Sequence, residues 1–139
     1  MPHPVLSQFL YTSLLCADVP ATCVADIVRH ARQANAVLGM TGILVFDGQA
    51  FCQYVEGPKE STDALLQRLQ RDSRHTRFTL QHQGSSVSVR RFGQWSMGYA
   101  LAADLEPLER LHPLRGPAAV DALQSMIPDL DLGPVQFAG

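Results

Sequence analysis

Along residues 7–14 the chain alternates so that Phe9, Tyr11 and Ser13 fall on one side of an extended backbone, which predicts a strand. Val24, Ile27, Val28, Ala31, Asn35 and Leu38 then recur at helical spacing. They predict a helix over about 22–37 that follows a loop at Pro20 and stops at Gly39. Thr41 to Phe46 is nearly all apolar, Asp47-Gly48 is a two-residue turn signal, and Ala50 to Glu56 returns as a second hairpin strand. Gly57-Pro58 breaks that strand and opens a second helix, with Thr62, Leu65, Leu66 and Leu69 on one side and its end near Asp72. Residues 77–83 and about 87–91 read as strand material. Trp95 to Leu101 reads as a last strand, with Trp95, Met97, Tyr99 and Leu101 on one face. The order is βαββαββ, and two βα units sharing one sheet imply an α+β sandwich with both helices on one face.

From about Asp104 the character changes. Pro107, Pro113, Pro117, Pro128 and Pro134 punctuate the chain, and a short helix is expected over Ala118–Met126. Leu105, Leu108, Leu111, Leu123, Met126, Ile127 and Leu130 make the segment amphipathic, so it is expected to cover the sheet's other face or offer that face to a partner. The pattern divides into a body over 1–103 and a helical extension over 104–139.

Three polar side chains break this scheme. Tyr11 and Gln53 alternate with apolar residues on inward strand faces, and Asn35 lies on the apolar stripe of the first helix. A buried polar group without a partner costs about 1–3 kcal/mol, so the three either satisfy one another or converge on something polar and flat. Cys52 alternates away from Gln53, and Glu56, three residues after Gln53, reads as the polar end of a strand before a turn.

Composition removes several alternatives. The 139 residues, 46% hydrophobic, suit one domain with one sizeable core. A net charge of −2 carries no basic footprint for nucleic acid, and no run of like charge suggests a membrane-binding patch. No apolar stretch approaches the roughly 20 residues needed to span a bilayer, and Met1-Pro2-His3-Pro4 lacks the segments of a signal peptide. Cys16, Cys23 and Cys52 show no metal-ligand spacing and fit a reducing cytoplasm as small hydrophobes. Five scattered histidines, with no phosphate loop and no nucleophile turn, give hydrolytic or metal chemistry little support, and no metal site is expected.

The inward amides fit better chemistry. Asn35 and Gln53 each offer donors and an acceptor, the mixture that a flavin ring edge calls for. Ile27, Ala31 and Leu38 could wall one side of a flat ring, and Leu65 and Leu69 the other. Arg68 and Asp72 share a helix face four apart, which by itself is a surface ion pair worth about 0.3–0.5 kcal/mol.

Six segments occur in an order that identifies a family. They are Tyr11-Thr12-Ser13, Ala31-Arg32-Gln33-Ala34-Asn35, Gly39-Met40-Thr41-Gly42-Ile43-Leu44, Phe51-Cys52-Gln53-Tyr54-Val55-Glu56-Gly57, Arg71-Asp72-Ser73-Arg74-His75 and Arg90-Arg91-Phe92-Gly93-Gln94-Trp95-Ser96-Met97. Over roughly residues 6–101 the chain strongly resembles the BLUF family, blue-light sensors that hold FAD non-covalently. The resemblance implies a ferredoxin-like fold with a five-stranded mixed sheet and residues 1–103 as the photosensor domain. It implies that Tyr11 gives the photoexcited flavin an electron and a proton and that Gln53 bridges Tyr11 to the ring. It further implies that Asn35 holds the ring edge, that Arg68 and Asp72 approach its other side, and that Arg32 lies toward the ribityl or phosphate chain. Trp95 and Met97 match the pair thought to relay the signal. Departures from the family pattern are few. Met40 is a volume-conserving change from Ile. Ala34 stands at a position often polar, for which the resemblance implies one hydrogen bond fewer near the ring and an effect on dark recovery, not on binding.

The expected protein is therefore a short, stand-alone photoreceptor and not an enzyme. It would use FAD, with FMN or riboflavin as substitutes, and signal as a homo-oligomer or through a separate protein effector. The competing readings are a light-insensitive flavin module with a redox or structural role and, ranked last, a small ferredoxin-like enzyme. An acylphosphatase-type enzyme would need an arginine in a phosphate-cradling loop after the first strand, and Leu15-Cys16-Ala17-Asp18-Val19-Pro20 has none.

Overall fold

The computed structural model describes residues 6–87, 89–93 and 95–132. The expectations placed on Met1–Pro4, on Ser88, on Gln94 and on residues 133–139 lie outside them. The elements are β1 (Leu6–Leu15), α1 (Cys23–Leu38), β2 (Thr41–Phe46), β3 (Ala50–Pro58) and α2 (Lys59–Arg71). They continue with β4 (His75–Val87), β5 (Gly98–Leu101), α3 (Glu106–Leu111), α4 (Pro117–Met126) and the two-residue β6 (Asp131–Leu132).

The strands lie in the order β4-β1-β3-β2-β5-β6. β1 is antiparallel to β3 and β4, β2 is antiparallel to β3, and β5 runs parallel to β2. Each long helix therefore carries the chain past one intervening strand, the interlocked βα units of a ferredoxin-like sheet. The five expected strands are present, and β6 lengthens the β5 edge.

Alternation divides the strand side chains between two faces. In front, Phe9, Leu44, Phe46, Phe51 and Val55 pack on Val24 and Val28 of α1 and Leu66 of α2. Behind, Leu10, Ile43, Val45, Cys52, Tyr54 and Ala100 pack on Leu108, Leu111, Ala119, Val120 and Leu123 of α3 and α4. The C-terminal segment thus covers the second face. It uses two helices and a 3-10 turn over Ile127–Asp129, where the pattern had predicted one helix over Ala118–Met126. Pro107 and Pro117 sit in first turns, where a missing N–H breaks no helical bond.

Local features depart from the pattern for physical reasons. β4 is one strand to Val87, because bulged pairing with β1 carries it through its polar middle, and Val89 to Arg91 lie outside it. The hairpin loop is Asp47–Gln49, three residues, since Asp47 Oδ1 accepts from both Gln49 N and Ala50 N at 2.9 and 2.6 Å and closes the turn. β5 begins only at Gly98, so Trp95 and Met97 precede it and do not share a face: Met97 joins the front core and Trp95 packs on the back one. Leu101 is 38% exposed, and Leu38, in the last turn of α1, is 42% exposed and walls nothing.

Candidate functional site

Tyr11 and Gln53 are direct partners across β1 and β3, so both side chains leave the front face together. Tyr11 Oη donates to Gln53 Oε1 at 2.5 Å, and both residues are buried. Gln53 Nε2 points at Met97 Sδ, 3.8 Å away, which is a weak acceptor. A buried amide donor with only a thioether in reach is short of a partner. Asn35 Nδ2 donates to Ser96 O at 2.8 Å, which leaves its amide oxygen for a further donor.

Above these groups a cleft of about 380 Å³ opens between the two long helices, within the size range of small-molecule sites. α1 contributes Ile27, Ala31, Ala34 and Asn35, and α2 contributes Leu65, Arg68 and Leu69. The sheet supplies Tyr11, Leu44, Phe51 and Gln53, with Met97 just before β5, and Asp72, Arg74 and His75 follow α2.

The neighbours of Tyr11 hold it stiffly. Its ring stacks on Phe78 at 4.5 Å and meets the edge of His75 at 5.9 Å. Burial pushes its phenol far above the ordinary 10.0, with the nearby Asp72 charge adding to the effect. His75 Nε2 lies 2.5 Å from Leu69 O, and a carbonyl only accepts, so that nitrogen carries a proton. In the neutral ring Nδ1 then accepts from Ser13 Oγ at 2.8 Å, docking the end of α2 onto β1. Arg74 Nε and Nη2 grip Asp72 at 3.0 and 2.5 Å, and this hydrogen bonding holds the carboxyl below the usual range despite partial burial.

Of the residues singled out from the sequence, Tyr11, Ile27, Asn35, Gln53, Leu65, Arg68, Asp72 and Met97 come together around this cleft. Arg68 and Asp72 both line it, but Asp72 is paired with Arg74, because it ends the helix in an extended conformation that turns it toward the next loop. Arg32 is off the lining and donates to Met97 O at 3.3 Å. Trp95 is on the other side of the sheet, its ring over Gly98 and stacked on Phe92 at 6.1 Å. Sequence reasoning assigned no role to Arg74 or His75. Their visible signals were membership of the Arg71–His75 segment that resembles the family and position, polar residues where the chain leaves α2 and enters β4.

A second cleft, about 320 Å³, lies at the end of β1 against α3. Its inner polar group is already used, Thr12 Oγ1 with His112 Nδ1 at 3.1 Å, and Asp47, Arg77 and Glu109 add charges. The front cleft, with apolar walls and under-partnered amides at its base, is the one that fits a flat ring with a polar edge.

A ferredoxin-like sheet with a ring-sized cleft between two helices places the chain among small α+β domains with a candidate cofactor site. The family model for sensors of blue light using FAD, BLUF, matches residues 6–98, and the chain belongs to that family. It is a blue-light photoreceptor whose cofactor is FAD. The dark-state structure of BlrB, a BLUF protein, is 32% identical with a TM-score of 0.76, covering 91% of this chain and 97% of that one. The blue light- and temperature-regulated antirepressor BluF of Escherichia coli is 32% identical over 71 residues, 51% of this chain and 18% of that protein. The photoactivated adenylate cyclase subunit beta of Euglena longa is 31% identical over 107 residues, 75% of this chain and 12% of that protein. The chain thus spans less than a fifth of the length of these two relatives. A light-insensitive flavin module is not favoured by this membership.

Proposed function

We propose that Tyr11 and Gln53 form the photochemical switch and that its output leaves through Met97, β5 and the helices behind the sheet. The observation that carries this reading is the 2.5 Å bond from Tyr11 to Gln53 at the base of the cleft, with Gln53 Nε2 left on a weak sulfur acceptor. Bound flavin supplies absorption of blue light and, once excited, a strong oxidant. With flavin bound, Tyr11 would be the residue to supply an electron and then its hydroxyl proton, for which the bond to Gln53 Oε1 is the path. When both return, the Gln53 amide is left rotated or tautomerised, with its donor and acceptor ends exchanged. Asn35 would hold the ring edge, Ile27 and Leu65 would exclude water from it, and Arg68 and Asp72 would approach it from the α2 side of the cleft. The rearranged bonds shift the absorption slightly to the red and bias the segment that Gln53 touches, a local hydrogen-bond switch acting on a bistable element.

Trp95, Met97 and Arg32 belong to the relay in this reading. Arg32 acts there through Met97 O, since the cleft lining does not include it. Residues 104–139 are the contact region for a second copy of the chain or a separate effector, as distinct from the sensor body before them. Among the described residues no helix is long and apolar enough to cross a membrane, and three free thiols suit a reducing cytoplasm. The chain itself acts as a signalling protein and not as an enzyme, and FMN or riboflavin can replace FAD because the cleft grips the ring.

The test is absorption before, during and after blue light for the flavin-loaded protein and for Tyr11→Phe and Gln53→Leu. The wild type should shift to the red and recover in darkness, and both variants should keep flavin but lose the shift. A normal photocycle in both variants would sink the mechanism.

A further inference from the structure

Glu56 lies three residues beyond Gln53 on β3, faces the back of the sheet and is fully buried. Its carboxylate accepts four hydrogen bonds. Oε2 takes the Thr41 hydroxyl at 3.0 Å and Phe92 N at 2.8 Å, and Oε1 takes Arg91 N at 2.9 Å and the Tyr54 hydroxyl at 3.0 Å. Tyr54 has one proton to share between Glu56 and Gln8 Oε1, 2.6 Å away. Among the described residues no cation pairs with the Glu56 carboxylate directly, although Arg90 Nη1 donates to the Glu56 backbone oxygen at 3.4 Å. Arg90 reaches it through Thr41, donating to Oγ1 at 2.9 Å, and also grips Gly39 O at 2.7 Å.

Burying a carboxylate is expensive unless its lone pairs are filled, and here four donors fill them. What the carboxylate adds is a clamp. Two of its four donors are consecutive backbone N–H groups, Arg91 and Phe92, in a stretch that belongs to no strand. Six residues beyond Phe92 the chain is fixed again, where Gly98 pairs with Ile43 of β2. Between these two points lies the stretch that touches the switch. Met97 Sδ faces Gln53, Ser96 O accepts from Asn35, Met97 O accepts from Arg32, and Trp95 O accepts from Gly42 N.

We propose that Glu56 is the fulcrum of signal output, a positioning residue that anchors Arg91 and Phe92 so that displacement of Ser96–Met97 passes forward into β5 and the helices behind it. The proposal rests on the photosensor reading above. With the upstream end clamped, a push on Met97 from the rearranged Gln53 amide can be taken up only downstream. With the clamp released, the same push is absorbed by movement at Arg90–Phe92.

The test is Glu56→Gln in the flavin-loaded full chain. Absorption is read first, then amide hydrogen exchange in darkness and under blue light. An amide has one acceptor oxygen where the carboxylate had two, so one backbone N–H loses its partner. In darkness, exchange at Arg91 and Phe92 should accelerate on the order of tenfold, the loss of one hydrogen bond to a charged group. The red shift should stay. The light-minus-dark difference that wild type shows over 98–126 should fall several-fold in the variant and reappear at 90–92. A merely structural role would leave that difference where it was, and this outcome overturns the proposal. So does a wild type that shifts its spectrum with no exchange difference beyond Met97. A wild type with no spectral shift fails at the first reading and takes the photosensor reading down as well. Should Glu56→Gln not fold, Thr41→Val removes one donor and the link to Arg90 while preserving shape, and should move the exchange pattern the same way to a smaller extent.

Discussion

Burial does most to set the chemistry of Tyr11, and it does so by penalising the phenolate. The phenol is pushed far above its ordinary 10.0, so the residue remains a hydrogen donor to Gln53 across all working pH values. Tyr54, beside Glu56, and the Cys52 thiol, ordinarily near 9.0, are driven upward too, in both cases chiefly by burial. These groups stay protonated in the folded chain and ionise in the unfolded one, so above pH 9 the unfolded state binds fewer protons. Their contribution is intact below pH 9 and is lost progressively as pH rises toward the raised folded values. Denaturant titration from pH 7 to 11 should show a flat stability turning downward above about pH 9, and a stability that rises there would contradict the assignment. At this scale much was legible. Tyr11, Asn35 and Gln53 stand out because polar groups interrupt apolar faces, and those faces are set by local geometry. Glu56 shares the parity of Cys52 and Tyr54, but its burial depends on residues 91–92 folding back over it, which no local pattern records.

Elements gave a second kind of result, in which type was readable and ends were not. The strand reading of Trp95–Leu101 had the right strand and the wrong start, because pairing with β2 begins only at Gly98. That shift puts Trp95 behind the sheet and Met97 in front, the separation that assigns Met97 to the cleft. Gly98 makes this placement possible, since a Cβ there would lie 2.6 Å from Cε3 of the Trp95 ring. Gly98→Ala should therefore push the ring off the back core while leaving β5 paired. Trp95 is the one tryptophan in the chain, so its fluorescence reports the move directly, as emission at longer wavelength in the dark-state protein. Unchanged emission would mean that the ring is held elsewhere. The short α3 was missed for a related reason, as six residues give too few turns for a periodic stripe.

At the scale of the whole molecule, the C-terminal helices and the sheet share one core. Leu123 of α4 is fully buried in the cluster that includes Leu10, Ile43 and Tyr54. Leu123→Ala should cost about 2–5 kcal/mol and lower a single cooperative unfolding transition. A separate early transition of the helical segment, with the sheet unaffected, would show that the segment is only docked. The sequence alone determined the βαββαββ order, the helix stop at Gly39, the front-face triad of Tyr11, Gln53 and Asn35, and the family. These follow from alternation, helical spacing and motif order, all short-range properties of the chain. Only the tertiary structure decided that Asp72 pairs with Arg74 and that Trp95 and Met97 part to opposite faces. It likewise decided that Leu38 faces solvent and that Glu56 is buried under the Arg91–Phe92 backbone. The Asp72–Arg74 pair, two residues apart, turns on where α2 ends. The others depend on which distant segment comes to lie against the residue, and the chain's local pattern carries no record of that.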